Sequence, residues 1–90
     1  MRIGIDVGGT FTDLVVTRVG GGIAQFKTHS TPMDPSIGVF RGLAEISETY
    51  GVSLDQLLLD VELIVHGTTV ATNTLVERKG ANVALITTSG

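Results

Sequence analysis

The stretch that decides the fold is residues 2–16, which read RIGIDVGGTFTDLVV. A short apolar strand over residues 2–7 carries an aspartate near its end, and a Gly-Gly-Thr turn leads back into a second apolar strand, predicted over residues 13–19. Glycines let a backbone approach a ligand closely, and successive main-chain N–H groups in such a turn bind anions such as phosphate. The stretch therefore predicts a phosphate-binding hairpin turn, and a plain glycine hairpin is the alternative.

The polar groups of this turn have predicted roles. Its main-chain N–H groups, and the hydroxyls of Thr10 and Thr12, are expected to donate to phosphate oxygens. Asp6 stands where a carboxylate could hold a hydrated divalent cation, because Mg²⁺ keeps most of its waters and takes few carboxylates. The turn leads into a strand and lacks the Gly-x-x-x-x-Gly-Lys-Ser/Thr pattern, so it is neither a P-loop nor a dinucleotide-binding turn.

Apolar periodicity along the rest of the chain predicts an α/β domain with the element order β-β-β-α-(α)-β-α-β. The predicted strands cover residues 2–7, 13–19, 23–30, 61–66 and 82–87, and the predicted helices cover residues 35–50, 53–58 and 70–79. Asp34 and Ser53 are expected to cap the first and second helices. The stripe predicted for the first helix consists of Ile37, Phe40, Leu43, Ala44 and Ser47. The last two strands and the helix between them form a parallel βαβ unit with a right-handed crossover.

A second polar cluster follows the fourth strand, where residues 66–75 read HGTTVATNTL. Open α/β sheets bind ligands in the crevice beyond the strand ends, and the N-terminus of the following helix favours an anion there. The cluster therefore predicts a ligand pocket. The alternatives are that Thr68 or Thr69 only caps the helix, and that His66 makes a buried hydrogen bond.

Composition excludes several function classes. Six Lys and Arg residues stand against nine Asp and Glu residues, and no basic block occurs, which argues against a nucleic-acid partner. No apolar run approaches the roughly 20 residues needed to span a bilayer. The absence of cysteine fits a reducing compartment, so we predict a cytoplasmic protein without a membrane partner. Because the sequence ends directly after a strand, we expect a longer polypeptide to continue from it.

Together the two motifs resemble those of the hydantoinase A/oxoprolinase family, within the actin–sugar kinase–Hsp70 superfamily of ATPases. Residues 4–13 look like the first phosphate motif, which many kinases of the superfamily share. Residues 65–81, VHGTTVATNTLVERKGA, look like the second hallmark, which is specific to this family. The resemblance runs along essentially all ninety residues.

The resemblance implies a ribonuclease H-like, actin-like ATPase half-domain with a mixed five-stranded sheet, so residues 1–90 are expected to be the N-terminal part of an ATPase domain. It implies ATP and Mg²⁺ as cofactors and ATP-dependent hydrolysis of a small cyclic amide, such as a hydantoin or 5-oxoproline. The expected partners are the rest of the same chain and a second, B-type subunit or fused half. The α-type subunit of an acetone- or acetophenone-type carboxylase, and a non-catalytic nucleotide-binding or interaction module, are the alternatives.

The resemblance also assigns site residues. Asp6 is expected in the metal shell and, with Asp13, in catalysis. The residues expected to contact ATP phosphates are Gly8, Gly9, Thr10, Phe11 and Thr12. Those expected to line the substrate cleft are His66, Gly67, Thr68, Thr69 and Asn73.

Overall fold

A computed structural model describes residues 1–67 and 69–86, and within these ranges the chain forms five strands and three helices. The elements are β1 (Arg2–Val7), β2 (Phe11–Thr17), β3 (Ile23–His29), α1 (Pro35–Tyr50), α2 (Leu54–Asp60), β4 (Glu62–His66), α3 (Thr69–Lys79) and β5 (Asn82–Ile86). The sheet order is β3-β2-β1-β4-β5, antiparallel from β3 to β1 and parallel from β1 to β5. The predicted α/β class and five-stranded mixed sheet are confirmed.

The second strand begins two residues earlier than predicted. Pairing with β1 continues to Val7 opposite Thr12, and the Gly8 N–H donates to the Phe11 carbonyl at 3.0 Å. The hairpin turn is therefore shorter than the motif suggested, since Phe11 and Thr12 belong to the strand. At the other end, β2 stops at Thr17 because Arg18 already accepts a turn hydrogen bond from the Gly21 N–H.

The three helices pack against one face of the sheet and bury a single apolar core. Alternation along each strand sends one set of side chains into this core and the other set to the opposite, open face. The largest buried apolar side chains among the described residues are Ile3, Ile5, Leu14, Val16, Val39, Leu43, Ile46, Leu58, Leu63, Val65 and Leu75. The open face is the one that carries Asp6, Asp13 and His66, so the fold leaves these side chains accessible.

The buried side of α1 differs from the predicted stripe. Leu43 and Ser47 are buried as expected and Phe40 is partly buried, but Ile37 and Ala44 are exposed. Two glycines determine how α1 is rotated about its axis, because Gly38 and Gly42 let the helix approach the sheet closely. A Cβ on Gly38 would lie 3.0 Å from the His29 carbonyl oxygen, and one on Gly42 would lie 2.5 Å from Leu14 Cδ1.

The predicted helix caps are confirmed. The Asp34 carboxylate accepts the Ser36 N–H at 3.2 Å, and Ser53 Oγ accepts the Gln56 N–H at 3.1 Å. Gly51 ends α1 in the left-handed conformation, with φ of 70°. Over the described ranges, no helix combines the length and apolar character needed to cross a membrane.

Candidate functional site

The two polar motifs meet where β1 and β4 end side by side. These strands are parallel neighbours, and Asp6 is the register partner of His66. The chain then turns at Gly67 with φ of 110°, and a Cβ there would lie 2.8 Å from the Val7 carbonyl oxygen. Only glycine fits so close to the β1 backbone without strain. The end of β1 and Gly67, which directly follows β4, therefore form one continuous edge.

Asp6 and His66 contact each other across this edge. His66 Nδ1 lies 3.2 Å from Asp6 Oδ1, within hydrogen-bonding distance. The Asp6 side chain is 67% exposed and the His66 side chain is 41% exposed, so both are accessible to a ligand. Each residue was predicted as a site residue, but their pairing was not, because the sequence does not fix the register of β4 against β1. One feature of the sequence did point to this pairing, because each motif lies at the end of a predicted strand.

Four ionisable side chains form a row across the open face, which we call the ionic row. It consists of Lys27 on β3, Asp13 on β2, Asp6 on β1 and His66 on β4, each the register partner of the next. Lys27 Nζ lies 3.8 Å from Asp13 Oδ1, so each carboxylate has a nitrogen partner on its outer side. Sequence analysis gave Lys27 no role, because an alternating lysine on a strand is usually only solvated.

The ionic row borders a depression in the open face with a volume of about 670 Å³. Its floor includes Gly4, Val15, Gln25 and Ile64, each of which lies two positions along the strand from a member of the ionic row. Gly4 leaves open space above the middle of the sheet, since a Cβ there would meet nothing within 4 Å. The depression places an apolar floor beside two carboxylates.

The turn between β1 and β2 is held from below by Ser30. Ser30 Oγ donates to the Gly8 carbonyl at 2.6 Å, and the Ser30 N–H donates to the Thr10 carbonyl at 2.8 Å. Both carbonyl oxygens of the turn therefore accept a hydrogen bond from Ser30. Gly9 and Thr10 are exposed, and within the described ranges their N–H groups have no protein acceptor. Sequence analysis missed Ser30, which lies just beyond a strand twenty residues later.

The other residues predicted to contact phosphate are Gly8, Phe11 and Thr12, and each of them has different surroundings in the structure. The Gly8 N–H is already bonded within the turn, so its amide is not free for a ligand. The Thr12 side chain is fully buried, with its hydroxyl 3.0 Å from Ser30 Oγ. Because β2 starts at Phe11, alternation turns Thr12 towards the helices, and its hydroxyl supports the turn from inside instead of lying at the surface as predicted. The Phe11 ring is 39% exposed and lies 5.0 Å from the His29 ring, centroid to centroid.

The remaining predicted cleft residues follow β4. Gly67 lies at the shared edge, whereas Thr68 is outside the described residues. Thr69 begins α3, and Asn73 is exposed on the same helix. Thr72, a member of the polar cluster predicted to form a ligand pocket, is buried.

A bound metal would depend on few protein ligands. Among residues 1–67 and 69–86, no group of three or more His, Cys, Asp or Glu side chains is arranged to hold a metal ion. Mg²⁺ needs no such group, because it keeps several waters and is held by one or two carboxylates together with substrate phosphates. The exposed Asp6 carboxylate, on the strand that leads into a turn with two main-chain N–H groups unbonded among the described residues, fits that requirement.

A family model described as "Hydantoinase/oxoprolinase N-terminal region" matches residues 2–90. The chain belongs to this family. Its relatives include the caprolactamase subunit alpha of Pseudomonas jessenii, 42% identical over 89 residues, which are 99% of this chain and 13% of that subunit. The acetophenone carboxylase gamma subunit of Aromatoleum aromaticum is 42% identical over 98% of this chain and 12% of its own length. The 5-oxoprolinase of Saccharomyces cerevisiae is 38% identical over all of this chain and 8% of its own length.

Two solved structures share the fold of this chain. The nucleotide-free structure of acetone carboxylase, from a study of ATP-dependent acetone carboxylation, matches with a TM-score of 0.66 and 30% identity, over 88% of this chain and 11% of that one. The nucleotide-free diol dehydratase-reactivating factor shares the fold alone, with a TM-score of 0.50 and 17% identity over 72% of this chain and 12% of that one. The resemblance to the hydantoinase/oxoprolinase family is therefore confirmed, and the chain spans about an eighth of the first two relatives.

Proposed function

We propose that residues 1–90 are the ATP phosphate-binding segment of an ATP-dependent enzyme that hydrolyses a cyclic amide. The observation that carries the proposal is the exposed turn between β1 and β2, where the N–H groups of Gly9 and Thr10 have no protein acceptor among the described residues. The turn directly follows β1, the strand that carries the exposed Asp6 carboxylate. Unbonded N–H groups in a turn that follows a strand with an exposed carboxylate suit an anion bound together with a cation.

Each residue of the turn has a part in this proposal. The N–H groups of Gly9 and Thr10, with the Thr10 hydroxyl, bind phosphate oxygens, and Ser30 keeps the two turn carbonyls away from the negatively charged ligand. Asp6 binds the hydrated Mg²⁺ ion, which keeps most of its water molecules. When bound, Mg²⁺-ATP supplies a phosphoryl group that turns an amide oxygen into a better leaving group. The protein's share of such chemistry is mainly positioning and charge stabilisation.

The fold supports a two-part nucleotide site. We propose that the sheet is a ribonuclease H-like half-domain of the actin-like type, and that later sequence of a longer polypeptide provides the matching half and the adenosine contacts. The small share of each relative that this chain covers supports this division. Because the relatives include separate alpha, beta and gamma subunits, a second subunit is the expected partner.

Two relatives favour a cyclic amide as the substrate, since the names caprolactamase and 5-oxoprolinase denote action on lactams. A carboxylase subunit is the second candidate, and the acetophenone carboxylase gamma subunit supports it with the same 42% identity as the caprolactamase. Assaying ATP hydrolysis by the full-length protein with its partner subunit separates the two. Stimulation by a lactam supports the hydrolase, whereas stimulation by a ketone with bicarbonate supports the carboxylase.

Calorimetric titration of the full-length protein with Mg²⁺-ATP tests nucleotide binding itself. Asp6→Asn should lose most Mg²⁺-dependent binding and ATP turnover. Glu62→Gln, at the far end of β4 and on the same face, is the matched control and should bind as the wild type does. If Asp6→Asn retains wild-type binding and turnover, the proposal fails. Retained partner binding without nucleotide binding in the wild type would instead favour a non-catalytic interaction module.

A further inference from the structure

The contact between His66 and Asp6 is fixed by the backbone and does not depend on flexible side chains alone. The two residues are register partners on adjacent parallel strands, which lie about 4.8 Å apart in a sheet. Gly67 directly follows His66 and packs against the Val7 carbonyl, so the end of β4 cannot drift from the end of β1. His66 Nδ1 is thereby held 3.2 Å from Asp6 Oδ1.

The direction of this hydrogen bond follows from the chemistry of the pair. An ionised carboxylate only accepts hydrogen bonds, so the proton must lie on His66 Nδ1. Both the neutral ring protonated at Nδ1 and the imidazolium ion satisfy this condition. The contact therefore occupies Oδ1, while Oδ2 has no hydrogen-bond partner among the described residues.

Asp6 needs such a donor because of its other neighbour. Asp13 is its register partner on β2, and like charges directly opposite each other on paired strands are destabilising. His66 lies on the far side of Asp6 from Asp13, as Lys27 lies on the far side of Asp13 from Asp6. Among residues 1–67 and 69–86, His66 is the group that holds the Asp6 carboxylate in place against this repulsion.

We propose that His66 is a positioning residue that holds the Asp6 carboxylate, through an Nδ1–H to Oδ1 hydrogen bond, with Oδ2 left for the hydrated cation of a bound nucleotide. This inference rests on the proposed function. Groups that orient a metal-binding carboxylate typically change metal affinity by roughly 10- to 100-fold when they are removed. His66→Leu should therefore weaken the binding of ATP in the presence of Mg²⁺ by about that factor.

Substitutions of His66 distinguish a role in positioning the Asp6 carboxylate from a role in folding alone. In asparagine, the amide nitrogen stands the same number of bonds from Cα as Nδ1 does in histidine, whereas in glutamine it stands one bond further. His66→Asn should therefore keep most of the Mg²⁺-dependent affinity, while His66→Gln and His66→Leu should lose it. Glu62→Gln is the matched control on the same face of β4.

The experiment titrates the full-length wild type and variants with ATP by calorimetry, once with Mg²⁺ and once with EDTA. The inference predicts a loss for His66→Leu with Mg²⁺, no loss with EDTA, and recovery in His66→Asn. It is overturned if His66→Leu binds Mg²⁺-ATP normally, if the loss is equal with EDTA, or if His66→Asn is as weak as His66→Leu. The proposed function fails separately, if the wild type binds no Mg²⁺-ATP at all.

Discussion

Ser30 Oγ donates to the Gly8 carbonyl at 2.6 Å, and this bond joins the end of β3 to the turn between β1 and β2. The same hydroxyl lies 3.0 Å from the buried Thr12 hydroxyl. One side chain from a neighbouring strand thus fixes the turn from beneath, and its effect is to leave the outer surface of the turn, at Gly9 and Thr10, open to a ligand.

Ser30→Ala should loosen this turn. The substitution removes the bond to Gly8 and leaves the buried Thr12 hydroxyl without that neighbour, and a buried polar group left unpaired costs about 1–3 kcal/mol. Hydrogen–deuterium exchange of the full-length protein should become faster in peptides that contain residues 8–12. Thr49→Ala, which removes a hydroxyl on the exposed side of α1, is the control and should leave that exchange unchanged. Unchanged exchange in Ser30→Ala would show that the hydroxyl does not hold the turn.

Gly67→Ala should separate the ends of β1 and β4. The added Cβ would lie 2.8 Å from the Val7 carbonyl oxygen, so the backbone has to move. Gly21→Ala is the matched control, because Gly21 has a similar φ of 106° but a Cβ there would meet nothing within 4 Å. The conformational strain common to both variants is about 1–3 kcal/mol.

Gly67→Ala should therefore lose more thermal stability than Gly21→Ala, and it alone should weaken Mg²⁺-ATP binding. Differential scanning calorimetry and titration calorimetry measure the two effects. Equal behaviour of the two variants would mean that the approach of Gly67 to Val7 has no part in the site.

Leu43→Ala and Ile37→Ala test which side of α1 faces the sheet. Leu43 is fully buried and Ile37 is 44% exposed. Truncation of a buried leucine costs about 2–5 kcal/mol, whereas a half-exposed site on a helix loses much less. Native-state hydrogen exchange of the α1 amides should show a large loss of protection for Leu43→Ala and a small one for Ile37→Ala. Losses of similar size in the two variants would instead support the predicted stripe, which contained both residues.

The local parts of the structure were predictable from the sequence, because they depend on neighbouring residues. Asp34 and Ser53 cap their helices as expected, and the Gly-Gly-Thr turn closes a hairpin. The family resemblance was also present in the two motifs, and the match over residues 2–90 confirms it.

The features that the sequence did not reveal depend on register and on helix rotation. The start of β2 at Phe11 decides that Thr12 faces the core, and this start is set by pairing with β1. The contact of His66 with Asp6 requires the alignment of strands sixty positions apart. The rotation of α1 follows from the two glycines that face the sheet, which a stripe of apolar residues alone does not indicate.

The central claim is that the turn between β1 and β2 binds the phosphates of ATP through the main-chain N–H groups of Gly9 and Thr10. The most direct measurement is a structure of the full-length protein with Mg²⁺ and a non-hydrolysable ATP analogue. The account predicts phosphate oxygens about 3 Å from those two nitrogen atoms, with the cation on the Asp6 side of the turn. A nucleotide bound elsewhere in the full-length protein, with this turn facing only solvent or other side chains, would contradict the account.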